Sequence, residues 1–267
     1  MSSTSPFTSQ VKITHIGTAT SIVSVDDINF LTDPFFSPQG SQWNWEKLVL
    51  QNTESPAMRL EHLPRIDAVL LSHEDHPDNL DELGRQLLDG RRVFTTLDGA
   101  KNLAPRPAVH GLHPWETIET RINGQRFEIT ATPAVHYPGQ ESMGFLLSTE
   151  SFGVTDGKPN AIDFSGDTVY FEELARIRER YHVKVALLNI GQAWVPDPNG
   201  KLIQITMGGE QAAQLFKVLG GDILVPQHFE SWKHFTQGGD ALRQELEQAG
   251  LRERVCWLEP GVSKIVV

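Results

Sequence analysis

The stretch Leu70-Leu71-Ser72-His73-Glu74-Asp75-His76-Pro77-Asp78-Asn79-Leu80-Asp81 constrains this chain more than any other. The apolar run 68–71 reads as a short buried strand. Residues 73–79 then bring two histidines, three acids and an asparagine. Leu80, Leu83, Leu87 and Leu88 follow at helical spacing, with Asp78 or Asn79 as N-cap and Gly90 as the stop. Polar side chains gathered at the end of a buried strand are costly unless something binds them. A divalent metal satisfies histidine and carboxylate together.

Three other strand ends carry the same chemistry. His136 follows Thr132-Pro133-Ala134-Val135, Asp167 follows Phe164-Ser165-Gly166, and His228 follows Val225-Pro226-Gln227. Each lies after an apolar run and before a loop or helix, where sites are commonly assembled on a rigid sheet. One such histidine alone would read as structural. Four strand ends together read as a metal site.

The rest of the chain supplies the sheets. Residues 1–10 are Ser/Thr-rich and read as a disordered tail, and residues 11–267 as a single domain. Residues 11–15 and 21–25 alternate, and 28–31 follow across Asp26-Asp27, so antiparallel sheet opens the domain. Residues 35–65 hold Pro38, Gly40, Pro56, Pro64, Trp43 and Trp45 without a clean period, and read as a flap in which 45–50 form a helical turn or two. Strands are expected at 92–96, 144–148, 161–165, 185–190, 222–225, 255–258 and 264–267. A hairpin at 117–132 turns on Asn123-Gly124. Helices are expected at 98–103, 171–180, 207–219 and 240–249, and 191–202 is loop-like. Two β-rich halves with outer helices predict a layered α/β sandwich.

Composition narrows the function. The net charge of −11 repels phosphate backbones, and no Lys/Arg run offers a basic groove, so nucleic acid is not expected as a partner. The single cysteine, Cys256, excludes an intramolecular disulfide and fits a reducing compartment. No signal peptide is visible, and no apolar stretch approaches the roughly 20 residues of a membrane span. A cytoplasmic location is expected, with oligomeric state open.

Taken in order, these motifs resemble the metallo-β-lactamase fold superfamily, and within it the lactonase and N-acyl-phosphatidylethanolamine phospholipase-like branch. Ile13-Thr14-His15-Ile16-Gly17-Thr18-Ala19-Thr20 is similar to that branch's first-strand motif, and Leu31-Thr32-Asp33-Pro34 to its second. Residues 71–81 stand where its histidine motif belongs. Phe164-Ser165-Gly166-Asp167-Thr168 resembles the strand of the bridging aspartate, and Val225 to Trp232 that of the last ligand. The resemblance implies a four-layer αββα sandwich with the site at one edge of the two sheets. By position it implies His73, His76 and His136 on a first metal, Asp167 bridging, and Asp78 and His228 on a second. It implies one or two Zn2+ ions, with Fe or Mn as alternatives.

The family's motif reads His-x-His-x-Asp-His, and this chain departs from it. Anchoring on Asp78 makes His76 the second histidine and Asn79 the third, and His73 then reaches the site through a bulge. Anchoring on His73 puts Asp75 in the second place and leaves His76 unassigned. The first alignment keeps Leu80-Asp81 in register. Asparagine is a weak neutral ligand, so a weaker second metal position is expected. Thr18 stands where the branch often carries histidine.

A metal here would lower the pKa of bound water to about 7 and polarise the scissile group. Asp78 would orient the nucleophile or take its proton, and His234 is a second candidate catalytic group. Asp33 would hold a ligand histidine by its second nitrogen, or else simply open the Asp-Pro turn, and Asn79 is a further candidate for a supporting contact. Tyr137, Tyr170 and Trp232 would line the substrate pocket. Glu74 and Asp75 read as solvated acids. The expected activity is hydrolysis of a small ester, lactone, thioester or amide. The alternatives are a phosphodiesterase on a lipid or small molecule, or a degenerate member that binds metal or ligand without hydrolysis.

Overall fold

Period-two alternation builds both sheets. In the computed structural model, which describes residues 3–267, the first sheet runs in the order Lys264–Ile265, Val11–Gly17, Thr20–Val25, Ile28–Thr32, Ala68–Leu70, Arg92–Thr96, Val109–Leu112. It is antiparallel as far as Ile28–Thr32 and parallel beyond. The second runs Ile223–Gln227, His182–Asn189, Lys158–Phe164, Met143–Thr149, Gln125–Pro133, Thr117–Ile122, with Val154–Thr155 paired onto Lys158–Phe164.

The sheets bury their inner faces against each other. Ile13, Val23, Phe30, Leu70 and Phe94 of the first meet Phe127, Phe145, Phe164, Leu187 and Val225 of the second. Phe30 and Phe127 pack edge to face at 5.1 Å. Helices cover the outer faces. Ala212, Leu215, Phe216 and Leu219 of helix Gly209–Leu219, with Leu242 and Leu246 of Gly239–Gln248, bury Leu146, Ala161, Ala186 and Leu188. Leu80, Leu87 and Leu103 do the same for Ile22, Leu31, Val69 and Val93. The result is the expected helix–sheet–sheet–helix sandwich.

Several local expectations change. The helix after the motif is Glu82–Leu87, and its N-cap is Asp81, whose Oδ1 accepts from Gly84 N at 2.7 Å. Asp78 and Asn79 belong instead to a turn in which His76 O accepts from Asn79 N and Leu80 N, each at 3.1 Å. Residues 45–50 are not helical: Gln42–Trp45 and Leu48–Gln51 form a hairpin, with Trp43 opposite Leu50 and Trp45 opposite Leu48. These four side chains join one aromatic cluster, which is what holds the strands in place. The 191–202 segment supplies half of a second hairpin, Trp194–Pro196 with Leu202–Gln204. Of 255–258, Val255 makes only an isolated bridge to Leu224. Residues 3–10 are not a loose tail: Ser5 bridges Val154, and the Phe7 ring stacks on Phe152 at 4.6 Å, burying an apolar anchor. The same expectation for Met1 and Ser2 lies outside the described residues.

Candidate metal centre

The strand ends converge where the two sheets meet. Ser72 O, past the end of Ala68–Leu70, accepts from Met143 N of the second sheet at 3.1 Å. Gly166 makes this approach possible. Its φ is +57°, and a Cβ there would sit 2.2 Å from Met143 O and 2.8 Å from Ser72 Cβ. Glycine alone takes that conformation without steric cost. The residue that follows it is Asp167.

His73, His76 and His136 form one group whose ligand atoms lie within 4.8 Å of one another. Their ring centroids are 4.5, 4.7 and 5.0 Å apart. In each ring one nitrogen is held from behind. His73 Nδ1 is 2.8 Å from Ser72 Oγ, His76 Nε2 is 2.6 Å from Gln140 Oε1, and His136 Nδ1 is 2.6 Å from the carbonyl of Ile205. The three remaining nitrogens are His73 Nε2, His76 Nδ1 and His136 Nε2. The last two lie 3.0 Å apart, and buried His73 Nε2 has no hydrogen-bond partner.

Asp78, Asp167 and His228 form a second group, also within 4.8 Å. His228 Nε2 is 3.4 Å from Asp167 Oδ2 and 3.7 Å from Asp78 Oδ2. The His228 backbone is held at φ +58°, and its N–H donates to Thr18 O at 3.1 Å. Asp78 Oδ1 and both His228 ring nitrogens are buried without a hydrogen-bond partner. Buried polar atoms are normally paired. Orphans of these types, all in two clusters of N and O donors, fit a divalent cation at each.

The electrostatics favour the same occupant. Burial pushes His73 down to about 3, reinforced by His136, and lowers His76 and His136 as well, so the three imidazoles are neutral and ready to ligate at neutral pH. Burial would raise Asp167, but the adjacent His228 reverses this and holds it well below the usual carboxylate range. His228 is correspondingly raised, the carboxylates of Asp167 and Asp78 outweighing its burial. Burial, reinforced by Asp167, raises Asp78 and pushes Asp33 up to about 7.

Asp33 does not touch a ligand histidine directly. Its carboxylate accepts from Ser72 N (2.7 Å), Ser72 Oγ (2.7 Å) and Asn79 Nδ2 (2.9 Å). Because Ser72 Oγ donates to Asp33, it accepts from His73 Nδ1–H, which leaves His73 Nε2 with its lone pair. Asn79 thus sits behind the site, tied to Asp33. Glu74 is not solvated: it is buried, pairs with Arg85 at 2.9 Å, and accepts from Asn102 Nδ2 at 2.7 Å. Asp75 is exposed, as expected.

Tyr137 and Trp232 join Phe35, Trp45 and Val195 in an aromatic cluster beside the histidines, and the Trp45 ring stands edge-on to His76 at 4.4 Å. His234 lies 4.8 Å from the Phe235 ring, which is 4.9 Å from that of His228. His234 Nδ1 and Trp232 Nε1 are both buried and unpartnered. Tyr170 is placed elsewhere, packed against the helix-covered core of the second sheet. Ser72, Gln140 and Asn189 were not singled out from sequence, yet each holds a site residue. Asn189 Nδ2 donates to Asp167 Oδ1 at 2.6 Å. Ser72 and Asn189 are marked only as polar residues at or just beyond a strand end, and Gln140, within the loop before Met143–Thr149, has no such mark.

Comparison with known proteins places these features in context. Residues 28–229 match the family model described as beta-lactamase superfamily domain. A metal-dependent hydrolase of Methanopyrus kandleri is 27% identical over 95% of this chain and 99% of its own length. The N-acyl-phosphatidylethanolamine-hydrolyzing phospholipase D of Saccharomyces cerevisiae is 25% identical over 94% of this chain, which spans 55% of that protein. Among solved structures, a metallo hydrolase from Ignicoccus hospitalis superposes with a TM-score of 0.70 at 26% identity, covering 96% of this chain and 98% of that one. The isothiocyanate hydrolase from Delia radicum gut bacteria shares the fold, with a TM-score of 0.75 at 20% identity over 95% of this chain and 98% of that one.

Proposed function

Since the chain belongs to the beta-lactamase superfamily and is a metal-dependent hydrolase, we propose that it cleaves a small ester, lactone, thioester or amide at the two donor clusters. The observation that carries this reading is the histidine triad, in which each ring has one nitrogen held from behind and the other turned to its neighbours. His73, His76 and His136 would hold one ion; Asp78, Asp167 and His228 would hold another. Zn2+ suits both sets, and iron or manganese would suit the carboxylate-containing one.

A metal held there would supply Lewis acidity, lowering the pKa of water to about 7 and polarising the scissile group. The chain's own residues do the rest. Asp78, with one carboxylate oxygen toward the ion, would use the other to orient the nucleophile or take its proton. Phe35, Trp45, Tyr137 and Trp232 exclude water and pack the apolar body of the substrate. His234 Nδ1 and Trp232 Nε1 offer buried polar contacts to it. A small organic molecule fits such a lining.

A phosphodiester substrate is the second reading, favoured by the likeness to the yeast phospholipase. Metal content by plasma mass spectrometry and a substrate panel test both. Bound metal, with turnover of p-nitrophenyl esters or lactones that is lost in His73→Ala and His228→Ala, is the expected result. Turnover of bis-p-nitrophenyl phosphate alone transfers the assignment to phosphodiesters. A metal-free protein, or unchanged activity in both variants, overturns the hydrolase site.

No helix among the described residues is long and apolar enough to cross a membrane.

A further inference from the structure

A line of hydrogen bonds runs from His15 on the first sheet to Asp167. His15 Nδ1 is 3.2 Å from Ser21 Oγ. Ser21 Oγ donates to Gln227 Oε1 at 2.6 Å, Gln227 Nε2 to Asn189 Oδ1 at 2.8 Å, and Asn189 Nδ2 to Asp167 Oδ1 at 2.6 Å. Ser21, Gln227 and Asn189 are fully buried. The line crosses from the first sheet to the second. Ser21 lies in Thr20–Val25, Gln227 ends Ile223–Gln227, and Asn189 ends the neighbouring strand, where the two residues are register partners.

Chemistry fixes its direction. An ionised carboxylate only accepts, so Asn189 must present its NH2 to Asp167 and its oxygen to Gln227. Gln227 must then donate to Asn189 and present its oxygen to Ser21. A second contact agrees, since Gln227 Nε2 also donates to Ala19 O at 3.2 Å. Ser21 spends its one proton on Gln227, so it accepts from His15 Nδ1–H. Every donor points toward Asp167. Aligned hydrogen bonds in a low-dielectric interior polarise one another.

We propose that Ser21 and Gln227 are positioning residues for Asp167: through Asn189 they occupy its Oδ1 and leave Oδ2 alone to face His228 and the metal. This rests on the metal assignment above. Asp167 groups with Asp78 and His228, and the resemblance implies that it bridges from there toward the histidine position. Loss of the relay therefore weakens Zn2+ binding, most of all at the Asp78/Asp167/His228 position. Outer partners of metal ligands typically contribute 10–100-fold in affinity, and about 10-fold is expected for Gln227, which is two side chains removed from Asp167.

The test is calorimetric titration of the metal-stripped full chain with Zn2+, together with bound-metal stoichiometry, so activity is not the readout. Gln227→Met keeps the volume and removes both contacts. Gln227→Glu still accepts from Ser21 but no longer donates to Asn189. Both are expected to weaken the Asp78/Asp167/His228 site about 10-fold and the histidine site by a smaller factor. Ser21→Ala is expected to weaken the first of these sites less than the Gln227 variants do, and Ser21→Thr, which keeps the hydroxyl, to restore it. Unchanged Zn2+ affinity in folded Gln227 variants, or identical behaviour of Ser21→Ala and Ser21→Thr, overturns the relay. A wild-type chain that binds no Zn2+ overturns the metal assignment instead.

Discussion

Asp163 is a buried acid that the site does not use, and it makes stability depend on pH in a calculable way. It lies in Lys158–Phe164, where Ile162 and Phe164 point into the core between the sheets. Asp163 takes the opposite face with Ala161, in register with Leu146 and Ala186, under the helices Gly209–Leu219 and Gly239–Gln248. Its Oδ1 has no hydrogen-bond partner. Burial alone pushes the carboxyl from 3.8 up to about 7. The native state therefore binds the proton more tightly than the unfolded chain does. Between about pH 4 and pH 7 the folded form carries more protons, so stability falls as pH rises through that window. A shift of about 3 units at 1.36 kcal/mol each is on the order of 4 kcal/mol, a large share of a typical 5–15 kcal/mol. Asp163→Asn removes the titration and keeps the shape. Urea unfolding of both proteins, metal-stripped, at pH 4, 5, 6, 7 and 8 isolates the residue, since every other group cancels in the difference. The Asn variant is expected to gain on the wild type by about 4 kcal/mol between pH 4 and pH 8, nearly all of it below pH 7. A difference that stays flat over this range would refute the reasoning, because Asp163 would then titrate alike in both states.

Two further outcomes follow from the site. Asp33→Ala strips Ser72 N, Ser72 Oγ and Asn79 Nδ2 of their acceptor, so the His73 ring loses its backing. Zn2+ affinity at the histidine cluster should fall about 10–100-fold by calorimetry, and an unchanged value would mean that Ser72 holds His73 unaided. Gly166→Ala forces a Cβ to within 2.2 Å of Met143 O at a φ of +57°. It should cost about 3 kcal/mol or more in urea unfolding, and a loss under about 1 kcal/mol would show that the strand end has room to shift.

What could be read from sequence was what local chemistry decides. His73, His76, His136, Asp167 and His228 stand out because ligand-type side chains at strand ends are costly without a ligand, and that cost is visible one segment at a time. Most strands of both sheets follow from alternation and turn residues such as Asn123-Gly124, but Val109–Leu112 and Val154–Thr155 do not. The flap hairpin was missed because Trp43, Trp45, Leu48 and Leu50 acquire their common face only against Phe35 and Trp232, a tertiary contact that overrides local preference. Tyr170 sits beside a ligand in sequence but faces the helical layer. Ser21 and Gln227 are 206 positions apart and of ordinary polar types, so nothing local marks them. Asp163 reads as the outward residue of a half-exposed strand, and only the helices laid over that face turn it into a buried acid.

The irregular motif shows why residue spacing was a poor guide to ligation here. In an extended segment, positions three apart point to opposite faces, so His73 and His76 would not meet, and alternation would pair His73 with Asp75. That parity argument holds only while the chain stays extended. After Ser72 it does not: the chain bends at 74–76, with the His76 ring 4.5 Å from that of His73, and then turns so that His76 O accepts from both Asn79 N and Leu80 N. The extra residue is absorbed by Glu74, swung away onto Arg85 and Asn102, and by Asp75, left exposed. The same turn directs Asp78 to Asp167 and His228 and delivers Asn79 to Asp33, behind the metal position. Three donors therefore remain in each cluster although the motif has no histidine after Asp78, and the asparagine in that place is tied through Nδ2 to Asp33.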